Sequence, residues 1–385
     1  MPAGVVEQQS IAVVVGTRPE AIKMAPVVLA LRRHPAFRPV LVSTGQHTEM
    51  LEQALGGFGL VPDVDLGLLR PGGSLSEFLS VATEPLGRLF RELCPALTLV
   101  QGDTMTVLAA AQASFFERVP VGHVEGGLRS DDLQNPFPEE AIRRMVGTLA
   151  SLHFAPTERA ARNLAREGIS PQTIYMTGNT IVDALRHLRA DEASTDVVRG
   201  LDFERKRVIL VTAHRRENHG QPLRQICAAI RDIVARFPDV EVLFPVHPSP
   251  AVHAVVHAEL HDVPRVHLSG PLPYDDLLHV LRHCELVLTD SGGIQEEAPA
   301  FDCPVLVLRN VTERPEVVEC GAGLLVGTER ASIVAGATLV LTNDDAWTAM
   351  ASAPNPFGDG FAAERIVDII GHRAGLLARQ ELLAV

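Results

Sequence analysis

At 385 residues, 46% hydrophobic and 21% charged, the chain can bury a sizeable core and is long for a single domain, so two domains are expected. A formal net charge of -13 without any Lys- or Arg-rich run speaks against nucleic acid or an anionic membrane as partner. An anionic small molecule would have to be met by local arginines.

The first ten residues carry no basic n-region, and the apolar run at 11–15 is too short for a signal core or a membrane span, which predicts a cytoplasmic protein. That run, Ile11-Ala-Val-Val-Val15, reads as a buried strand broken by Gly16 and followed by a helical stretch from Arg18. The same order recurs with strands at 39–43, 96–100 and 119–124 and helices at 47–55, 104–116 and 138–149. Between about 183 and 206 the pattern loosens into a helix and a polar linker, which places a boundary between residues 1–190 and 191–361. Alternation then restarts, with strands at 208–212, 240–246, 266–269, 285–288, 304–308 and 323–326. Helices are predicted at 222–236, 250–260, 274–283, 330–341 and 362–377. Such alternation implies right-handed βαβ units, hence an α/β chain of two doubly wound Rossmann-like domains facing a cleft. Ligand-contacting residues should sit just past the carboxyl ends of the strands. Five scattered cysteines without a C-x-x-C pair indicate neither a disulfide frame nor a thiolate zinc site, and read as small core residues.

Several familiar motifs are missing. Gly16-Thr-Arg-Pro-Glu20 stands where a dinucleotide-binding chain would carry G-x-G-x-x-G, and no G-x-x-x-x-G-K occurs. His253, His257 and His261 share one helix face, but no Glu accompanies them as in H-E-x-x-H, so they read as a surface stripe.

What remains gathers at strand ends. Arg18, Arg129, Arg215, Arg216 and Arg314 each follow a predicted strand; singly they read as surface ion pairs, together they suit a di-anionic ligand. Asp103 and Glu125 directly follow apolar runs, and Glu139 and Glu140 open a helix after Pro138. Carboxylates so placed can serve as general acids or bases, although at least one of the last pair reads equally as a first-turn helix acid. His214 and His247 end successive strands; His214, among arginines, could bond a phosphate or move a proton. In Leu288-Thr-Asp-Ser-Gly-Gly-Ile-Gln-Glu-Glu-Ala-Pro299 a strand runs through two glycines into a helix. This reads either as an ordinary Ser cap with favourable first-turn acids or as a phosphate seat, with Glu296 and Glu297 placed to accept from hydroxyls such as a ribose diol.

Taken together the chain resembles the non-hydrolysing UDP-N-acetylglucosamine 2-epimerases. The likeness runs almost end to end, through Gly16-Thr-Arg-Pro-Glu-Ala-Ile-Lys-Met-Ala-Pro26, Gly45-Gln-His-Thr-Glu-Met-Leu51, Gln101-Gly-Asp-Thr104, Gly122-His-Val-Glu-Gly-Gly-Leu-Arg129 and Pro136-Phe-Pro-Glu-Glu140. It continues through His153-Phe-Ala-Pro-Thr157, Thr177-Gly-Asn-Thr180, Thr212-Ala-His-Arg-Arg-Glu-Asn218 and Thr289-Asp-Ser-Gly-Gly-Ile-Gln-Glu-Glu-Ala-Pro299. The resemblance implies a glycosyltransferase-B-like fold, usually homodimeric, with a UDP-sugar as substrate, UDP held mainly by the second domain, and the C-terminal helix, 362–385, returning to the first. It implies catalysis by Asp103, Glu125, Glu139 and His214, and substrate contacts from Arg18, Lys23, Arg143, Arg215, His247, Ser291, Gly292, Gly293, Glu297 and Arg314. No metal or redox cofactor is implied. The reaction would eliminate UDP to 2-acetamidoglucal and add it back with the C2 proton delivered to the other face.

Three departures stand out. Gly126 replaces an Ala beside Glu125, Ile142 replaces an Asn beside the catalytic helix, and Arg70-Pro-Gly-Gly73 ends in Gly where Gln is common in a region linked to activation by a second substrate molecule. Competing readings are a hydrolysing epimerase that releases ManNAc and UDP, a glycosyltransferase of the same fold, and a non-catalytic UDP-sugar sensor.

Overall fold

In the computed structural model, which describes residues 8–45, 48–68, 73–134, 136–188 and 193–381, the apolar runs become the strands of two parallel sheets. The chain divides into two compact units, Met1–His187 with Phe357–Val385, and Leu188–Pro356.

The first unit runs β1 (Gln9–Val15), α1 (Arg18–Arg33), β2 (Phe37–Ser43), α2 (Thr48–Gly56), β3 (Val64–Asp65), α3 (Leu75–Leu93), β4 (Leu97–Gln101), α4 (Met105–Phe116) and β5 (Val121–Val124). It continues with α5 (Glu139–Leu149), β6 (Leu152–Ala155), α6 (Glu158–Arg166), β7 (Ile174–Met176) and α7 (Thr180–His187). Its sheet has the order β3-β2-β1-β4-β5-β6-β7. The continuous run of β1 is explained by cover on both faces. Ile11, Val13 and Val15 join one cluster with Met24, Ala25 and Val28 of α1, while Ala12 and Val14 join another with Leu108 of α4 and Phe90 of α3.

The second unit contains α8 (Asp196–Arg199), β8 (Arg207–Thr212), α9 (Gln221–Arg236), β9 (Val240–Pro245), α10 (Pro250–Leu260), β10 (Val266–Ser269), α11 (Tyr274–His283) and β11 (Leu286–Thr289). Then come α12 (Gly292–Glu297), β12 (Val305–Val307), α13 (Pro315–Glu319), β13 (Gly323–Leu325), α14 (Arg330–Thr342) and α15 (Asp344–Ala351). Its sheet has the order β10-β9-β8-β11-β12-β13, with Ile209, Val211, Leu286 and Leu288 in the core. The last helix, α16 (Ala362–Glu381), belongs to the first unit, where Ala363, Ile366, Val367 and Ile370 pack into the β1–α1 cluster. Asp183 of α7 fixes its start by accepting from the backbone N–H groups of Ala362 (3.2 Å) and Ala363 (2.7 Å).

Each sheet reverses its winding once, between β1 and β4 in the first unit and between β8 and β11 in the second. In open α/β sheets the loops beyond the carboxyl ends of these strands form the natural ligand crevice. Among the described residues no helix is long and apolar enough to cross a membrane. Cys227, Cys284 and Cys303 are buried as expected of small core residues, but Cys320 is half-buried and Cys94 exposed.

Candidate functional site

In the first unit the loop after β1 must pass very close to its neighbours. A Cβ on Gly16 would lie 2.1 Å from Thr106 Oγ1 and 2.5 Å from Thr44 Oγ1, so only glycine fits. Glu20, in the first turn of α1, accepts from the backbone N–H groups of Gly16 (2.6 Å) and Thr17 (3.2 Å) with one oxygen. Its other oxygen accepts from the Thr104 hydroxyl, which lies next to Asp103. Glu20 thereby ties the loop carrying Arg18 to the loop carrying Asp103. Burial pushes its carboxyl up to about 7 in spite of these donors. Arg18 is half-buried and has no ion-pair partner among the described residues.

Asp103 is gripped by Arg143 of α5, whose Nε and Nη2 lie 2.8 and 2.7 Å from Asp103 Oδ2. Arg143 is itself held by Glu140, 3.3 Å away. Glu140, fully buried, also accepts from Ser130 N (3.0 Å) and Arg144 Nε (3.1 Å). Of the two acids opening α5, it is Glu140 that serves the structure. Glu139 is half-buried, and among the described residues its buried Oε2 has no hydrogen-bond partner.

Glu125 directly follows β5 in the left-handed region, at φ 63°. Its Oε2 accepts from Lys23 Nζ (2.6 Å) and Gln101 Nε2 (2.7 Å). His123 lies two residues earlier; its Nε2 lies 2.8 Å from the carbonyl oxygen of Gly102, and burial pushes its imidazole down to about 4. The neutral ring therefore serves as a brace for the Gly102-Asp103 turn.

The residues flagged as departures sit quietly. Ile142 is buried in the α4–α5 core with Val146 and Leu108. Gly126 has no left-handed φ, and its N–H donates to Phe154 O at 3.2 Å. A Cβ there would come within 3.3 Å of His123 O, so the glycine gives the loop a little extra room. Gln46 and His47 of the second motif, and Arg70, Pro71 and Gly72 of the Arg70–Gly73 departure, lie outside the described residues.

In the second unit the reversal point is built around Asp290. Thr212 and Thr289 are paired in register and their hydroxyls meet at 2.5 Å, which brings the ends of β8 and β11 side by side. Asp290, fully buried, accepts from the backbone N–H groups of His214 (2.9 Å) and Arg215 (2.9 Å) and from Asn218 Nδ2 (2.9 Å). His214 Nδ1 lies 3.3 Å from Asp290 Oδ1, and its ring stacks on His247 with centroids 5.7 Å apart. Burial lowers the His214 imidazole below its usual range; the Asp290 carboxylate opposes this, and Arg215 and His247 add to it.

Ser291 caps α12 without a side-chain cap bond, leaving its hydroxyl and the first N–H groups of the helix unengaged by each other. A Cβ on Gly292 would sit 3.5 Å from Arg215 Nη2 and 4.0 Å from Arg314 Cζ, so two guanidinium groups flank this turn. Gly293 follows immediately, its hypothetical Cβ 3.8 Å from Ser291 Oγ. Arg215 Nε is buried without a partner, while Arg314 Nε is bound to Glu296 at 2.5 Å. Glu296 is thus an ion-pair partner, and of the two acids considered for hydroxyl recognition Glu297 is the better placed, accepting from Tyr274 OH at 3.0 Å. The structure therefore groups Ser291, Gly292, Gly293, Arg215 and Arg314 at one turn, with His214 and His247 beside it through Asp290.

Sequence reasoning passed over Glu20, Gln101, His123, Asn218, Tyr274 and Asp290. All but Tyr274 lie within the quoted motifs or adjoin a flagged residue, but a polar residue that packs inward leaves no periodic trace that distinguishes it from a surface one. The histidine stripe on α10 is a row of neighbouring rings, His253 and His257 stacked with centroids 4.1 Å apart and His261 6.2 Å from His257. Among the described residues no group of three or more His, Cys, Asp or Glu side chains is arranged to hold a metal ion.

A family model described as UDP-N-acetylglucosamine 2-epimerase matches residues 29–371. The chain is 45% identical over 365 residues to the UDP-N-acetylglucosamine 2-epimerase of Escherichia coli, covering 93% of this chain and 97% of that one. To the enzyme of the same description from Bacillus subtilis it is 45% identical over 355 residues, covering 92% and 93%. The crystal structure of UDP-GlcNAc 2-epimerase from Neisseria meningitidis bound to UDP-GlcNAc superimposes with a TM-score of 0.86 at 39% identity, covering 94% of this chain and 99% of that one.

Proposed function

Since the chain belongs to the UDP-N-acetylglucosamine 2-epimerase family, we propose that it interconverts UDP-GlcNAc and UDP-ManNAc without net hydrolysis. The observation that carries this reading is the pairing of that family match with two differently equipped reversal points: one rich in acids in the first unit, one rich in cations and helix N–H groups in the second.

In this reading UDP is held by the second unit. Ser291, Gly292 and Gly293 offer hydrogen-bond donors to the diphosphate, Arg215 and Arg314 supply charge, and Glu297 accepts from the ribose hydroxyls. Arg18, Lys23 and Arg143 are the substrate-contacting cations of the first unit, and His247 supports His214. A base removes the C2 proton as the C1–O bond to UDP breaks, leaving 2-acetamidoglucal; UDP then returns to C1 while a proton is delivered to the opposite face of C2. Asp103, Glu125 and Glu139 are the proton-handling acids, and His214 stabilises the departing diphosphate or returns a proton to it. Glu139 is the best supported of the three, because its buried oxygen has no hydrogen-bond partner among the described residues. Nothing in this scheme calls for a metal or redox cofactor. The protein works in the cytoplasm, as a homodimer, with a UDP-sugar and no nucleic acid or membrane as partner.

Chromatography of UDP-GlcNAc incubated with the protein tests the reading. UDP-ManNAc with total UDP-sugar conserved supports it; release of free ManNAc and UDP would replace it with the hydrolysing reading.

A further inference from the structure

Asp290 presents a physical puzzle. It is fully buried, it adjoins Ser291 in sequence, and so an anion lies at the foot of the turn where the diphosphate is placed above. A fixed negative charge there repels the ligand unless it does something the ligand needs. Two features of the geometry answer this. First, the carboxylate is surrounded by donors from a single loop: the N–H groups of His214 and Arg215 and the amide of Asn218, which also donates to Leu308 O at 3.1 Å. Second, the ionisable ring of His214 has its Nδ1 3.3 Å away, leaving Nε2 as the atom that can meet a ligand.

We propose that Asp290 is a positioning residue that fixes the 213–218 loop and holds on His214 the proton that this histidine carries when a diphosphate is bound. The proposal rests on the reading of His214 given above. The groups facing the ring are Asp290 at the end of β11, Arg215 on its own loop and His247 at the end of β9. Burial, and after it Arg215 and His247, disfavour the charged ring in the empty protein, and Asp290 opposes them. A bound diphosphate adds a second anion, and the two together make the imidazolium the favoured form. The charge of Asp290 is thereby offset in the loaded state by the cation it retains.

The test is a pH titration of His214 by imidazole 15N NMR in the full-length chain saturated with UDP, the signal assigned from the His214→Gln protein. Asp290→Asn keeps the shape and removes the charge. It is expected to move the His214 midpoint down by at least about one pH unit and to lower kcat at least about tenfold, with UDP affinity above that midpoint changed less than about threefold. Asn218→Ala removes a donor from the same loop but leaves the carboxylate, and is expected to leave the His214 midpoint within about 0.3 pH units of wild type. An unmoved midpoint in Asp290→Asn, or an equal displacement in Asn218→Ala, would overturn the proposal. Normal turnover in His214→Gln would instead overturn the reading of His214, and this assignment with it.

Discussion

Lys23 of α1 and Glu125 at the end of β5 meet at 2.6 Å, each less than a tenth exposed. A carboxylate so engaged is a fixed part of the first unit as well as a candidate for chemistry. Removing one partner of a buried pair strips the other ion of its opposite charge, a loss of roughly 3–5 kcal/mol. Lys23→Met is therefore expected to lower the unfolding free energy in urea by roughly that amount, and Lys23→Met with Glu125→Gln by less than the sum of the single changes. A cost under about 1 kcal/mol, or strict additivity, would show the pair to be unimportant to the fold.

Glu139 differs in kind. Its buried Oε2 has no hydrogen-bond partner among the described residues, so Glu139→Gln breaks no hydrogen bond at that atom. We expect kcat to fall at least about a hundredfold with the thermal midpoint unchanged. Asp103→Asn should lose turnover on a similar scale but also stability, because Arg143 then loses one of its carboxylate partners. Steady-state rates and melting curves on both proteins separate the two cases; near-normal turnover in Glu139→Gln removes it from the mechanism.

Glu20 makes stability depend on pH in a predictable direction. Its carboxyl ionises at about 7 in the folded chain against 4.5 for an unperturbed Glu. Between those values the folded chain keeps a proton that the unfolded chain has lost, so this contribution is full below about 4.5 and is lost as pH rises through 7. Relative to wild type, Glu20→Gln should gain roughly 2–3 kcal/mol in unfolding free energy between pH 4.5 and pH 7.5. Parallel stability curves for the two proteins would contradict this.

At the reversal point of the second unit, Ser291→Ala and Glu297→Ala should each weaken UDP binding, read by calorimetry with UDP alone. Loss of one hydrogen bond to a charged group, Ser291 to the phosphate or a ribose hydroxyl to Glu297, corresponds to roughly a tenfold change. Unchanged affinity in both proteins would place the nucleotide elsewhere.

The architecture was legible because buried parallel strands are continuous apolar runs, and Ile11 to Val15 could hardly be anything else. Strands β3, β6 and β7 were not predicted, since none lies in an unbroken five-residue apolar run like that at 304–308, which announces the equally short β12. At the site, charged residues after strand ends were found by position alone. Their pairing was not. That Lys23 meets Glu125 102 positions away, or that Glu140 rather than Glu139 is the buried structural acid, depends on packing between elements that no local pattern encodes. Asp290 was overlooked for the same reason: its donors come from a loop more than seventy positions earlier.

The central claim is that the C2 proton leaves and is replaced. The most direct measurement is proton NMR of UDP-GlcNAc incubated with the protein in D2O. The account predicts UDP-ManNAc and UDP-GlcNAc with deuterium at C2 and the UDP linkage intact. Epimer formed with the original C2 proton retained, or no exchange at all, would contradict it.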